Sequence, residues 1–141
     1  MDKRFWIAGV VASVLFFALG FLVHGLIMTG DYMKHKSLFR TEEEAMANMP
    51  WMTLAHVIMG FAFVWIYSKG ISDGGSWMSQ GLRFGIAAAL LVTVPWYLIY
   101  YSVQPWAFAT TAKQIILDAI SIIIVAIVTA YIYKPGTTST A

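Results

Sequence analysis

Four long apolar runs occupy most of this chain: Phe5–Thr29, Trp51–Ser68, Leu82–Val103 and Trp106–Tyr133. Each is close to or beyond the ~20-residue helix that crosses a hydrocarbon core of about 30 Å. In lipid there is no water to bond, so a spanning backbone must satisfy its own N–H and C=O groups. Runs of this length are therefore read as helices. The expected fold is all-α, an integral membrane four-helix antiparallel bundle. Its helices are expected over about 5–29, 51–68, 80–103 and 106–134.

Composition agrees. Of 141 residues, 60% are hydrophobic and 11% charged. A water-soluble domain carries about 25% charged residues. The four spans and their connections use up the chain, so a single transmembrane domain is expected. The net charge of +2 comes without a basic stripe, which argues against nucleic acid as a partner. Cysteine is absent, which excludes disulfides, thiolate metal sites and thiol catalysis. Lys3-Arg4 before an apolar run imitates a signal peptide, but the run exceeds the usual core of about 7–15 residues. It is read as a first membrane anchor.

Local signals place the helix ends. Pro50 suits a helix start, where a missing N–H costs little. Lys69-Gly70 ends the second helix, and the loop Gly70–Ser79, with Asp73-Gly74-Gly75, is expected to be a flexible turn. Pro95 should kink or loosen a turn of the third helix. Gln104-Pro105 makes a tight reversal, and Pro135-Gly136 stops the fourth helix. The tail 135–141 is expected to be disordered. The long connection 30–50 contains Thr41 and Glu44 at capping-box spacing. This predicts a short amphipathic surface helix over about Glu42–Met49, between the first two spans.

Four spans put both termini on one side. Lys3, Arg4, Lys69, Arg83 and Lys134 fall there, against Lys34, Lys36, Arg40 and Lys113 on the other. The positive-inside rule then favours cytoplasmic termini. Trp51, Trp96 and Trp106 sit near the outer ends, where aromatic rings with a polar edge anchor to the interface. Arg83 begins the third helix near the inner surface and is expected to contact lipid headgroups. It is about 14 Å from the level of Asp118, too far to pair with it.

Ionisable groups inside a span are costly and need partners. His24 and His56 each lie about five residues below the outer ends of their helices. Lys113, Gln114 and Asp118 lie at comparable depth on the fourth helix. Spacings of three, four and seven place Gly9, Ser13, Gly20 and His24 on one face, Thr53, His56 and Gly60 on another, and Thr111, Gln114, Asp118 and Ser121 on a third. Small residues on such faces let helices approach. These patterns predict a polar pocket in the outer leaflet formed by His24, His56, Lys113, Gln114 and Asp118, completed by Tyr97, Tyr100 or Tyr101. The pocket can be read as packing glue, as a ligand site, or as a proton-handling centre at Asp118.

Two cofactor readings follow. Haem could be ligated by His24 and His56. Copper could use His24, His35 and His56 with Met28, Met33, Met46, Met49, Met52 and Met59, although methionine is also ordinary filling in apolar helices. No Gly-rich phosphate loop, G-x-S-x-G elbow, H-E-x-x-H motif or carboxylate-rich metal cluster is present. The fourth helix is nearly free of polar residues inward of Ser121, which argues against a channel.

The stretches Gly81-Leu82-Arg83-Phe84-Gly85, Pro95-Trp96-Tyr97-Leu98-Ile99-Tyr100-Tyr101, Gln104-Pro105-Trp106 and Lys113-Gln114-Ile115 resemble a group of small uncharacterised bacterial four-helix integral membrane proteins. The resemblance implies the fold and a bacterial inner membrane. It implies no catalytic residue.

The leading functional expectation is a non-enzymatic accessory or interaction subunit. Its partners would be lipids and a larger membrane complex, or further copies of itself. The fourth helix is apolar all round beyond Asp118, and 115–128 offers smooth surface for lipid or neighbouring helices. The alternatives are a haem-, copper- or small-molecule-binding membrane protein, and a proton-coupled carrier or membrane enzyme centred on Asp118.

Overall fold

A computed structural model describes residues 3–71 and 75–134. Within them every regular element is helical. Four helices are long and apolar enough to cross a membrane: α1 (Lys3–Ile27), α4 (Met49–Lys69), α5 (Trp77–Val103) and α6 (Phe108–Tyr133). Two short helices, α2 (Thr29–Met33) and α3 (Glu42–Ala47), lie in the connection after α1. Their lengths and composition are consistent with a multi-pass membrane protein. The expected disordered tail and the centre of the Gly70–Ser79 turn lie outside the described residues.

Capping explains several boundaries. The Thr41 side chain accepts from the Glu44 N–H, and Glu44 reaches back 3.0 Å to the Thr41 N–H, a complete capping box. That backbone N–H holds the Glu44 carboxyl below its ordinary range. Helix α5 starts at Trp77, earlier than expected, because the Ser76 hydroxyl accepts from the Ser79 N–H. Pro95 has no N–H and crowds the carbonyl one turn back. The helix answers with a wider, π-helical turn over Ala89–Thr93, immediately before Val94-Pro95.

Packing follows small residues. Helix α4 lies along α1 at Gly60, where a Cβ would come 2.5 Å from the backbone nitrogen of Ser13. Ser13 bonds the Gly9 carbonyl at 2.8 Å, so its hydroxyl is satisfied at this crossing. Helix α5 lies along α6 at Gly81 and Gly85. A Cβ on Gly81 would meet Ala130 Cβ at 2.8 Å, and one on Gly85 would meet Ile123 Cα at 2.8 Å. This is glycine spacing of four against Ala126 and Ala130, which lets two backbones touch.

Helix α6 is the central one. It packs on both α5 and α1 and buries Ser121, Val125, Ala126, Thr129 and Ala130. The smooth surface expected over 115–128 is thus reduced to a stripe of Ile116, Ile120 and Ile124. The shared core joins Phe5, Ala8, Ala12 and Phe16 of α1 to Val64 of α4 and Val125 of α6. At the end holding the termini, Phe84 of α5 meets Phe63 and Tyr67 of α4 at ring distances of 4.7 and 5.3 Å. Arg4 there donates to the Tyr133 and Lys134 carbonyls, which have no helical partner.

Candidate functional site: a polar seam between two cavities

At the opposite, distal end α4 and α5 are separated by a cleft of about 220 Å³. Phe16, Met59, Val92, Trp96 and Ile122 give it apolar walls, while His24, His56, Thr93, Tyr97, Asp118 and Ser121 supply polar groups. Met59, Val92 and Trp96 are exposed, so the mouth opens sideways between α4 and α5. Both π-helical turns border this space. One carries Val92 and Thr93. The other, Phe21–Ile27, carries His24 and closes with a bond from the Met28 N–H to the Val23 carbonyl at 2.8 Å. Such turns insert a residue into the helical register and re-aim side chains.

The connection after α1 covers the distal end. Trp106 meets Tyr32, His35 and Phe39 at ring distances of 5.9, 5.0 and 5.8 Å. Beside this cluster lies a second, open cavity of about 340 Å³, bordered by His24, Tyr32, Phe39, Tyr97, Tyr100, Gln104 and Gln114 among others. His24 and Tyr97 border both spaces. They form the seam between them.

A continuous chain of polar contacts runs through that seam. Gln114 Nε2 donates to the Tyr32 hydroxyl at 3.2 Å. The Tyr32 hydroxyl lies 2.5 Å from His24 Nδ1. His24 Nε2 lies 3.2 Å from Asp118 Oδ1, and the Tyr97 hydroxyl donates to Asp118 Oδ2. One proton assignment satisfies every link with a neutral imidazole. Tyr32 donates to His24 Nδ1, His24 Nε2 carries its proton beside the Asp118 carboxylate, and Tyr32 keeps a lone pair for Gln114. A His24 imidazolium beside the Asp118 carboxylate satisfies the same contacts. Burial of Tyr32 is the largest influence on its phenol and pushes its pKa up, against the opposing Gln114 bond.

His56 reaches the cleft from α4 by a separate route. Its Nδ1 bonds the Met52 carbonyl at 2.7 Å, and Phe17 packs edge-on against its ring at 5.2 Å.

Of the residues expected in the pocket, His24, His56, Tyr97 and Asp118 border the cleft, and Gln114 borders the second cavity. Lys113 does not join them. One position from Gln114 it has rotated about 100° around the helix, and it donates at 2.8 Å to Asp31 of α2. That bond is the main cause holding the Asp31 carboxyl below its ordinary pKa. Tyr101 also lies outside both cavities, with its ring edge-on to Phe108 at 5.9 Å.

Trp106 is partly buried. It sits within the distal aromatic cluster and donates from Nε1 to Gln104 Oε1 at 2.7 Å. Trp51 and Trp96 are exposed. Arg83 is exposed at the termini end and borders a hollow with Tyr67, Gly70, Gln80 and Phe84.

Of the residues considered for haem or copper, His24, His56 and Met59 border the same cleft. Both nitrogens of His24 are engaged, so iron ligation would break the Asp118 or Tyr32 contact. His35 packs on Trp106, and His56 contacts Gly20 and the Met52 carbonyl. Among the described residues no three His, Cys, Asp or Glu side chains could hold a metal ion.

Tyr32 is the participant that sequence reasoning missed. Its segment reads as mixed-charge surface, and only tertiary folding of α2 under Trp106 carries its hydroxyl to His24. The Gly81/Gly85 spacing was a legible signal for the α5–α6 crossing. Comparison with known proteins adds no relative: no family model, no curated protein and no solved structure matches this chain.

Proposed function

We propose that this chain inserts into a membrane as an antiparallel four-helix bundle and binds an amphipathic small molecule in its lateral cleft. The observation that carries the reading is the cleft itself. It has apolar walls, a polar floor containing Asp118 and His56, and a mouth on the apolar side of the molecule. Small-molecule sites combine mostly apolar lining with a few placed polar groups. A volume of about 220 Å³ suits a head group, with an apolar tail leaving between α4 and α5 into lipid. The charge distribution favours cytoplasmic termini, which puts the cleft in the outer leaflet; the bacterial inner membrane is what the resemblance implies.

The test is recovery of the ligand. Protein purified from its native membrane is extracted and analysed by mass spectrometry, beside a Gly20→Leu variant. Position 20 borders the cleft, so the larger side chain fills it. A single amphiphile enriched with the wild-type protein and lost from the variant supports the reading. Identical bulk lipid in both preparations overturns it.

A second reading, the non-enzymatic accessory subunit of a larger complex, is favoured by α4. That helix buries only Gly60, Val64 and Tyr67 and leaves Trp51, Leu54, Ile58, Trp65 and Ile66 outward. Lipid covers such a face as well as a neighbouring helix does. Co-purification of a stoichiometric partner that Ile58→Arg releases would establish this role.

A further inference from the structure

His56 is held in one tautomer. The Met52 carbonyl 2.7 Å from Nδ1 can only accept, so Nδ1 carries the proton of the neutral ring. Nε2 is left with a bare lone pair. It lies beside Gly20 of the adjacent α1, where a Cβ would come 3.4 Å from it, and both residues border the cleft. Among the described residues no protein group donates to that nitrogen.

The neighbouring polar groups lean the same way. Asp118 accepts from Tyr97, pairs with His24 at 3.2 Å and has lone pairs to spare. Ser121 gives its proton to the Leu117 carbonyl at 2.9 Å, so its oxygen can only accept from the cleft. The Thr93 hydroxyl can act either way. The floor therefore has more acceptors than donors, and an unpaired acceptor in apolar surroundings is costly.

We infer that the cleft selects a lipid-soluble molecule whose ring head group carries a donating hydroxyl, a phenol or quinol rather than a quinone, with that hydroxyl on His56 Nε2. This names the ligand class of the site proposed above and rests on that reading. A hydroxyl donates to Nε2 while its oxygen stays free to accept from Thr93. A quinone carbonyl presents a lone pair to a lone pair. An anion meets Asp118. A strongly hydrated ammonium has to be stripped of water on entry. The rings of Phe16 and Trp96 and the thioether of Met59 offer soft, flat contacts to an aromatic ring.

The experiment uses the full chain in lipid nanodiscs with selectively 15N-labelled histidine. The probes are a decyl-substituted benzohydroquinone, the matching benzoquinone and decylamine. The hydroquinone is expected to shift the His56 Nε2 resonance in the direction of an accepted hydrogen bond. It should bind about tenfold more tightly than the quinone, the equivalent of one well-made buried hydrogen bond. His56→Phe keeps a ring against Phe17 and removes the acceptor, so it should erase the difference between the two probes.

If the quinone binds as tightly as the hydroquinone the donor inference fails, and if the amine does the hydroxyl assignment fails; in either case the small-molecule reading stands. If no probe moves His56 and the cleft yields no native amphiphile, both fail. The wild-type resonance decides the matter even if the variant does not fold.

Discussion

His24 Nε2 lies 3.2 Å from Asp118 Oδ1, tying the first long helix to the last at the point where the two cavities meet. Asp118 also accepts from Tyr97, so this single carboxyl gathers α1, α5 and α6. Polar contacts between membrane helices are worth about 0.6 kcal/mol on average and up to about 1.7. A double-mutant cycle with His24→Ala and Asp118→Ala should give a coupling energy of roughly 1 kcal/mol. Reversible unfolding in mixed micelles measures it, and a coupling near zero would show that the pair is not formed.

Tyr32→Phe should cost about 1 kcal/mol in the same assay. The ring contacts to Phe39 and Trp106 survive the change, while His24 Nδ1 and Gln114 Nε2 each lose their shared partner. Nitrogen resonances of His24 should move and those of His56 stay in place. A variant as stable as wild type, with unaltered His24 resonances, would contradict the observed chain.

Gly60→Ala should destabilise by about 1–3 kcal/mol, because the new methyl collides with Ser13 backbone and neither helix can yield without shifting. Gly30 provides the contrast. Nothing lies within 4 Å of a Cβ there, so Gly30→Ala should stay within about 0.5 kcal/mol of wild type. Equal effects at the two positions would refute the close α1–α4 approach.

The Asp31 carboxyl titrates below its ordinary value in the folded protein, chiefly because Lys113 donates to it. A depressed folded pKa gives a contribution that is complete above the unfolded pKa of about 3.9 and disappears as pH falls through the folded one. Lys113→Ala should raise the Asp31 pKa toward its ordinary value and flatten the loss of stability below about pH 4. Carbon-13 carboxyl NMR reads the first effect and acid unfolding the second. An Asp31 pKa that ignores the substitution would exclude the ion pair in solution.

The long helices were legible because their length alone sets them apart, and the Thr41–Glu44 box because both members lie within one turn. Pro95 announced its loosened turn through its missing N–H. The site was legible only in part. His24, Gln114 and Asp118 reveal themselves as polar interruptions of apolar helices. Tyr32 does not, because it sits in a polar segment where a tyrosine costs nothing. Tyr97 and Tyr101 share a helical face by spacing, yet only Tyr97 is deep enough to meet Asp118. Helix α6 reads as uniformly greasy because Ala126, Thr129 and Ala130 differ from their neighbours in size more than in polarity, and size decides which face packs.

Arg4 clasps the carbonyls of Tyr133 and Lys134, which brings the two ends of the described chain side by side. A short linker could join them, and the backbone could be reopened between α4 and α5 without reversing any helix. The chain rewired in this way would begin with α5 and finish with α4. Its architecture would then depend on which surfaces fit together rather than on the order in which the ribosome delivers them.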